Sequence, residues 1–411
     1  MNLGLLDLRV VESSAFIAAP LAGLTLAQFG ADVIHIDNIG GGIDYGRLPL
    51  MPSGRSLYWT SLNKAKRSIA IDLRRPEGRE LVQALVTAPG ENGGILLTNI
   101  VSKWLDHAAL AKTRPDLITC MIEGNQDGTT AVDYTVNAAT GYPAMTGPGS
   151  IDAPVNHVLP AWDIACAFQA ALAISAAADR RRRTGAGAEL RLALSDVAFT
   201  MLSHLGLATE AQLLGEARPS LGNHIYGAFG RDFATADGKR IMVAGISAAQ
   251  WTTLVKSCGI EAEIAALEAR LGKRFANESD RFDARDAIAE LVAAWCAART
   301  LAEIQPLFDA NRVCWGPYRT TPDLMANDPR VGPANPVWET LDPAGIGPHR
   351  AAGTPLRASG EARGAQAPAP LLGQHTDDIL LGVLGLSSAA VGKLHDTGVV
   401  AGPEKDPTQA G

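Results

Sequence analysis

Surplus positive charge, paired cysteines and long uncharged hydrophobic runs are what this chain has least of, and each shortage removes a class of function. Lys and Arg number 36 against 43 Asp and Glu, a formal net charge of −7 at pH 7. There is no electrostatic case for nucleic acid or an anionic membrane surface, and an anionic ligand has to be met by local basic groups. The five cysteines (Cys120, Cys166, Cys258, Cys296, Cys314) are odd in number and form no C-x-x-C pair, which reads as reduced thiols in a cytoplasm. Cys166 reads as a small buried hydrophobe, with a reactive thiol as the other reading. Asp7, Arg9 and Glu12 interrupt the N-terminus early and no basic stretch precedes them, unlike a signal peptide. No uncharged apolar run reaches spanning length, so the expectation is a cytoplasmic, soluble protein.

What is present is a large core. With 411 residues, 47% hydrophobic and 19% charged, the chain is too long for one simple core, and one large domain plus a smaller one is the natural division. Residues 6–11 read as a strand, 21–29 as a helix closed by Gly30, and 31–37 as a second strand, a βαβ opening. The first βα turn, Ser13 to Pro20, holds no Gly-x-Gly-x-x-Gly, so the close pyrophosphate approach of a nicotinamide enzyme is missing. Further strands at 68–73, 94–98, 117–123 and 189–194 alternate with helices, which argues for parallel pairing. Asp196 to Leu214 reads as one long helix. Near Gly222 the character changes to a glycine- and aromatic-rich segment and a hairpin turning at Ala236 to Lys239, followed by helices from Ala248, Asp283 and Leu301 and a strand at Cys314. The expected fold class is α/β: a Rossmann-like large domain with a parallel sheet plus a smaller α+β domain. The expected division is 1–222 for the large domain, 223–325 for the small one, 326–332 as linker, 333–400 as an extended return to the first domain, and 401–411 as a loose tail.

The stretch from Val132 to Ala178 organises the rest. A Gly/Pro-rich turn (Thr146 to Pro154) leads through Asn156-His157-Val158-Leu159-Pro160-Ala161-Trp162 to Asp163, and an Ala-rich helix apolar on all sides follows. Asp163 at its start has two compatible readings. It is an N-cap that accepts from the orphan first-turn amides, or a nucleophile held ionised by those amides against apolar surface. The run Lys64, Lys66, Arg67, with Arg74 beyond the strand, is either a solvated charge cluster or a site for the phosphates of a large anionic ligand. Asn99 ends a strand, where α/β sheets tend to place ligand contacts.

Taken in order, several blocks resemble the class III CoA-transferases, which include formyl-CoA and carnitine CoA-transferases and the 2-methylacyl-CoA racemases. They are Gly30-Ala31-Asp32-Val33-Ile34, Asn63-Lys64-x-Lys66-Arg67-Ser68-Ile69-x-Ile71-Asp72-Leu73, Pro76-Glu77-Gly78, Thr98-Asn99, Thr184-Gly185-x-Gly187, Gly316-Pro317 and Leu372-Gly373-Gln374-His375-Thr376-Asp377. The resemblance implies that Asp163 is the catalytic nucleophile and that coenzyme A enters as part of an acyl-CoA substrate, with no permanently bound cofactor and no metal. It also implies that Asn63, Lys66, Arg67, Ile71, Arg74 and Asn99 line the CoA site and that the protein is an interlocked homodimer. Two departures bear on the reaction. Val132 stands where the racemases carry a histidine ahead of the residue matching Asp133, which removes the second base of a proton exchange. Ile17 and the segment Tyr226-Gly227-Ala228-Phe229-Gly230 stand where formyl-CoA transferase carries a glutamine and a tetraglycine flap, so formate and oxalate are not expected. Substrate contacts are then expected from Ile17, Asp133, His157, Tyr226, Gly227, Arg231 and Arg319. The first-turn amides near Asp163 and the Tyr226 segment are candidate oxyanion donors. Arg231 or Arg319 either binds a second substrate carboxylate or makes a structural salt bridge; His157 either lines the pocket or is a packed core histidine. The resemblance points to CoA transfer within one substrate molecule, with two alternatives: an intermolecular transferase acting on another dicarboxylic acid, and a non-catalytic CoA-binding protein of the same fold.

Overall fold

A computed structural model describes residues 3–359 and 363–409. Two compact units emerge, one from Met1–Thr140, Val158–Leu214 and Pro329–Gly411, the other from Gly141–His157 and Gly215–Asp328. The strands in chain order are β1 (Arg9–Ser13), β2 (Asp32–Asn38), β3 (Arg67–Ile71), β4 (Ile95–Thr98), β5 (Ile118–Glu123), β6 (Ala188–Ala193), β7 (Phe229–Ala234), β8 (Arg240–Gly245), β9 (Cys314–Pro317), β10 (Trp338–Leu341), β11 (His349–Ala352) and β12 (Val400–Ala401).

The first unit is built on a seven-stranded sheet in the order β12-β3-β2-β1-β4-β5-β6. Its strands run parallel except β12, which pairs antiparallel with β3. The inner strands are short apolar runs because helices cover both faces. Pairing of Val10 with Val33 on one side and Val11 with Leu96 on the other puts β1 in the middle, and the winding reverses between β1 and β4. In a doubly wound sheet the crevice at the carboxyl ends of those two strands takes the ligand. On one face the Ala18–Phe29 helix packs on the Ala161–Thr184 helix. Buried Ala18, Ala19, Ala22, Ala167, Ala170 and Ala171 leave little side chain between them.

The Ala161–Thr184 helix is covered on one side only. Its 24 residues include an 18-residue window of mean hydropathy 1.4, long and apolar enough to cross a membrane by length and composition. Here it packs on β5, β6 and the Ala18–Phe29 helix, with Cys166 and Ile174 fully buried but Phe168 53% and Leu172 69% exposed on the other side. The single helix expected over 196–214 is two, Leu194–His204 and Leu207–Leu214, because Gly206 adopts φ 82°, outside any right-handed helix. Nor are residues 401–409 loose. β12 closes the β3 edge, and the buried Asp406 carboxylate accepts from the Tyr45 hydroxyl (2.7 Å) and the Leu372 amide (2.9 Å). The Pro/Gly-rich return is not extended throughout, since β10 and β11 form a hairpin within it.

Beneath the carboxyl ends of the central strands lies a buried charge network. Lys66 Nζ donates to Glu12 Oε1 (2.8 Å), Pro20 O (2.8 Å) and Asn63 Oδ1 (2.9 Å). His35 bridges Glu12 (2.8 Å) and Asp37 (3.4 Å). Burial by itself opposes charge on His35, but Asp37 and Glu12 overcome it and raise the imidazole to about 10. Two cations and two carboxylates thus balance. Removing one leaves a buried charge uncompensated, which costs about 3–5 kcal/mol. Lys66→Met is therefore expected to lower unfolding free energy in guanidinium chloride by that amount, and adding Glu12→Gln to recover more than half of it.

The second unit is α+β. A three-stranded antiparallel sheet, β7-β8-β9, carries helices whose Trp251, Leu254, Ile288, Val292 and Phe308 pack with Phe229, Phe233, Ile241 and Val243 of the strands. Arg281 is buried among them, its Nη1 donating to the carbonyls of Phe275 (2.6 Å) and Ala276 (3.1 Å) while its Nε finds no partner among the described residues. Residues 141–157, expected in the large domain, cluster here, held in part by the bridge between Gly147 and Gly222.

Candidate active site

Asp163 occupies the third position of the Ala161–Thr184 helix, and Pro160, not Asp163, is the N-cap residue. The cap itself comes from thirty residues upstream. Asp133 Oδ2 accepts from the amides of Trp162 (2.7 Å) and Asp163 (3.1 Å), and Trp162 Nε1 donates to Asn137 Oδ1 (3.1 Å), which pins the Asp133–Ala138 helix across the first turn. The expected oxyanion donors at this helix start are consequently already engaged. Asp133 is 2% exposed, and its carboxylate complements the positive end of the dipole in place of Asp163.

The Asp163 carboxylate, relieved of that task, accepts no hydrogen bond among the described residues. It is half-buried. Burial first, and the nearby Asp133 charge second, push its pKa up to about 7. A carboxylate poised near neutral pH and without a structural partner is the electrostatic pattern of a reactive group. Cys166, one turn on, is fully buried, and burial raises its thiol far above the ordinary range, so it packs as an inert hydrophobe.

The loop after β1 faces the sheet's crossover. Asn99 Oδ1 accepts from the Ala15 amide (3.0 Å) and its Nδ2 donates to the Ala15 carbonyl (2.7 Å). Asp44 Oδ2 accepts from the Phe16 amide (2.9 Å). Held on both sides, Phe16 takes φ 67°, a left-handed conformation costly for a bulky residue. Ile17 follows as the residue capping the Ala18–Phe29 helix. Asn99, expected to contact CoA, orients this loop. Asp44 carries no sequence signal for that role, since its partner lies 28 residues away.

The other expected CoA contacts are mostly occupied. Lys66 and Asn63 are buried and bonded to each other and to Glu12 and Trp59. Ile71 is a fully buried strand residue, and Arg67 forms a two-pronged pair with Asp32. Among these six, Arg74 has the most exposed guanidinium, at 90%, and it too forms a two-pronged pair, with Asp72 (2.9 Å for each bond). The charge run read as a phosphate site is in large part a structural network, because its carboxylate partners come from β1 and β2.

His157, Tyr226, Gly227, Arg231 and Arg319 all belong to the second unit. Arg231 Nη1 sits 3.2 Å from His224 Nε2. Arg319 approaches Asp323 (3.6 Å) and Asp328 (3.9 Å), the salt-bridge reading for that residue. The Tyr226 ring carries the Arg218 guanidinium at 3.7 Å and leans on Phe282, while Gly227 takes φ 76°. His157 is partly exposed.

Comparison with known proteins gives a consistent set. The family description CoA-transferase family III matches residues 5–376. 2-Methylfumaryl-CoA isomerase of Chloroflexus aurantiacus is 50% identical over 400 residues, 97% of this chain and 98% of that one. Succinyl-CoA–D-citramalate CoA-transferase of the same organism is 28% identical over 93% and 94% of the two chains. Among solved structures, a CAIB/BAIF family protein from Brucella suis superposes with a TM-score of 0.75 at 26% identity, covering 93% of this chain and 100% of that one.

Proposed function

From the premise that the chain belongs to CoA-transferase family III, we propose that it is an intramolecular CoA transferase, converting 2-methylfumaryl-CoA to 3-methylfumaryl-CoA through a covalent intermediate on Asp163. The observation that carries this reading is the half-buried Asp163 carboxylate, raised to about 7 and without a hydrogen bond of its own, at a helix start whose amides Asp133 already satisfies. The likeness at 50% identity to 2-methylfumaryl-CoA isomerase supports the substrate.

Ionised Asp163 attacks the C1 thioester carbonyl, breaking the C–S bond to give a mixed anhydride and CoA thiolate. The thiolate attacks the aspartyl carbonyl, forming an aspartyl-CoA thioester and releasing 2-methylfumarate within the site. The C4 carboxylate then attacks that thioester, and the thiolate takes the C4 carbonyl, regenerating Asp163. One thioester is exchanged for another, so the reaction is close to thermoneutral. Coenzyme A is part of the substrate. Among the expected CoA contacts, Arg74 is the most exposed cation, and a phosphate there would share it with Asp72.

A homodimer accompanies this reading. Phe168, Leu172, Leu213 and Leu214 are exposed in the single chain, apolar surface that a second copy covers. Light scattering is expected to give twice the mass of one chain.

Incubating the pure protein with 2-methylfumaryl-CoA alone is expected to yield the C4 thioester, with no label entering from free labelled 2-methylfumarate. Dependence on an added acid, or full exchange with the labelled pool, would make it an intermolecular transferase on a dicarboxylate.

A further inference from the structure

Asp163 handles one carboxyl of the substrate, and the reading above leaves the other without a cation. The segment between β2 and the Leu57–Leu62 helix supplies one. Arg47 is an exposed arginine with its guanidinium over two aromatic rings, 5.5 Å from the centroid of Phe16 and 5.1 Å from that of Tyr58. It forms no ion pair and no side-chain hydrogen bond among the described residues.

Its position is built into the loop. The Arg47 amide donates to Asp44 O (3.1 Å), and Ser56 Oγ donates to the Arg47 carbonyl (2.5 Å). Ser56 also caps the next helix, accepting from the Trp59 amide (3.1 Å), which fixes Tyr58 in that helix's first turn. Asp44, at the other end, holds the left-handed Phe16 through its amide. Two short polar residues therefore lock both rings and the cation between them.

The second observation is the Tyr58 hydroxyl. It is buried and has no hydrogen-bond partner, a costly state for a polar group in a folded chain. Arg47, Asp163, Asp44 and Tyr134 all act on it electrostatically, so it lies in the electrostatic neighbourhood of the reacting carboxylate. Arg47 is not spent on neutralising Asp163, whose raised pKa follows from burial and Asp133. A planar guanidinium stacked on aromatic faces, without a carboxylate of its own and beside an orphaned hydroxyl, is preorganised for a bidentate anion.

Resting on the dicarboxylate reading, we propose that Arg47, with the Tyr58 hydroxyl, binds the substrate carboxylate that is not engaged at Asp163, and so sets the preference for dicarboxylyl over monocarboxylyl thioesters. As the diacid turns between half-reactions, the same pair receives first the C4 and then the C1 carboxylate. Both residues are positioning and specificity groups, acting on the substrate's remote end.

The test is calorimetric binding in an Asp163→Ala background, which prevents turnover, with three probes: 2-methylfumaryl-CoA, 2-methylcrotonyl-CoA and free CoA. Arg47→Gln is expected to weaken 2-methylfumaryl-CoA roughly 10- to 100-fold, as a lost charge-assisted pair does, and to leave the other two unchanged. Arg47→Lys is expected to recover part of the loss, and Tyr58→Phe to lose roughly tenfold for the dicarboxylyl probe alone. Equal weakening of all three probes would mean that Arg47 meets a CoA phosphate, and no weakening that it is structural; either overturns the proposal. Should the double variants fail to fold, kcat/KM of Arg47→Gln on the two thioesters with Asp163 intact reads the same ratio. Failure of the parent chain to isomerise 2-methylfumaryl-CoA would sink the parent reading separately.

Discussion

Asp163→Asn is expected to turn over 2-methylfumaryl-CoA at least about 10⁴-fold more slowly than the parent, because no other step replaces a lost nucleophile. At pH 8 it is also expected to be the more stable protein. In the unfolded chain this carboxyl loses its proton near the ordinary value of 3.8, whereas in the folded chain it keeps it up to about 7. Between those values the folded state holds a proton that the unfolded state has released, so stability from this group is full below about pH 4 and falls as pH rises to about 7. Each pKa unit is about 1.4 kcal/mol, and with partial solvent access the ionised carboxylate costs roughly 2–4 kcal/mol at pH 8. Asparagine does not pass through that transition. Denaturant melts of both proteins at pH 4.5 and pH 8 are expected to differ by roughly 1–3 kcal/mol more at the higher pH; the same difference at both would mean that burial does not hold Asp163 protonated. In the parent, kcat/KM is expected to rise with pH to a plateau with a midpoint near 7, the ionisation of the attacking group.

Asp133 separates two effects that one carboxylate combines. Asp133→Ala removes the acceptor for the Trp162 and Asp163 amides, leaving two helix-start donors unsatisfied in a buried place, and is expected to cost about 2–4 kcal/mol. Asp133→Asn keeps an acceptor oxygen and loses the charge. It is expected to fold close to normally and to shift the acid limb of the kcat/KM profile to lower pH, since the like charge that helps raise Asp163 is gone. The midpoint should stop short of the ordinary carboxyl range, because burial is the larger cause and remains. An unmoved profile in Asp133→Asn would show that the two carboxylates do not interact.

The parallel sheet was legible because each inner strand is a short apolar run bounded by turn residues, and such runs keep their type whatever surrounds them. The place of Asp163 at the start of an apolar helix was legible from the Gly/Pro turn ahead of it, but position alone left both cap and nucleophile open. What stayed hidden depends on pairing across long separations. The Lys64 to Arg67 run shows its charge in sequence, but not that Lys66 finds Glu12 54 residues away or that Arg67 finds Asp32 35 residues away. Asn99 sits where ligand contacts are expected, yet its amide matches both backbone groups of Ala15, 84 residues earlier. The cap on the central helix was misassigned for the same reason: Asp163 is adjacent in sequence, whereas Asp133 is adjacent in space. Helix breaking at Gly206 and the β10–β11 hairpin were local events, missed because one glycine inside an apolar helix pattern and a Pro/Gly-rich stretch are both ambiguous signals.

The buried network of Glu12, His35, Asp37 and Lys66 also limits how this sequence can drift. A β-carbon built at Gly23 would lie 1.6 Å from Glu12 Oε2, so alanine is excluded there while glutamate occupies position 12. Glu12 cannot be neutralised while Lys66 lies beneath it, and Lys66 cannot be replaced while Glu12 is charged. Each single step costs about 3–5 kcal/mol, much of which joint replacement restores. These positions behave as one inherited block, with Gly23 free to vary only after the pair above it has changed.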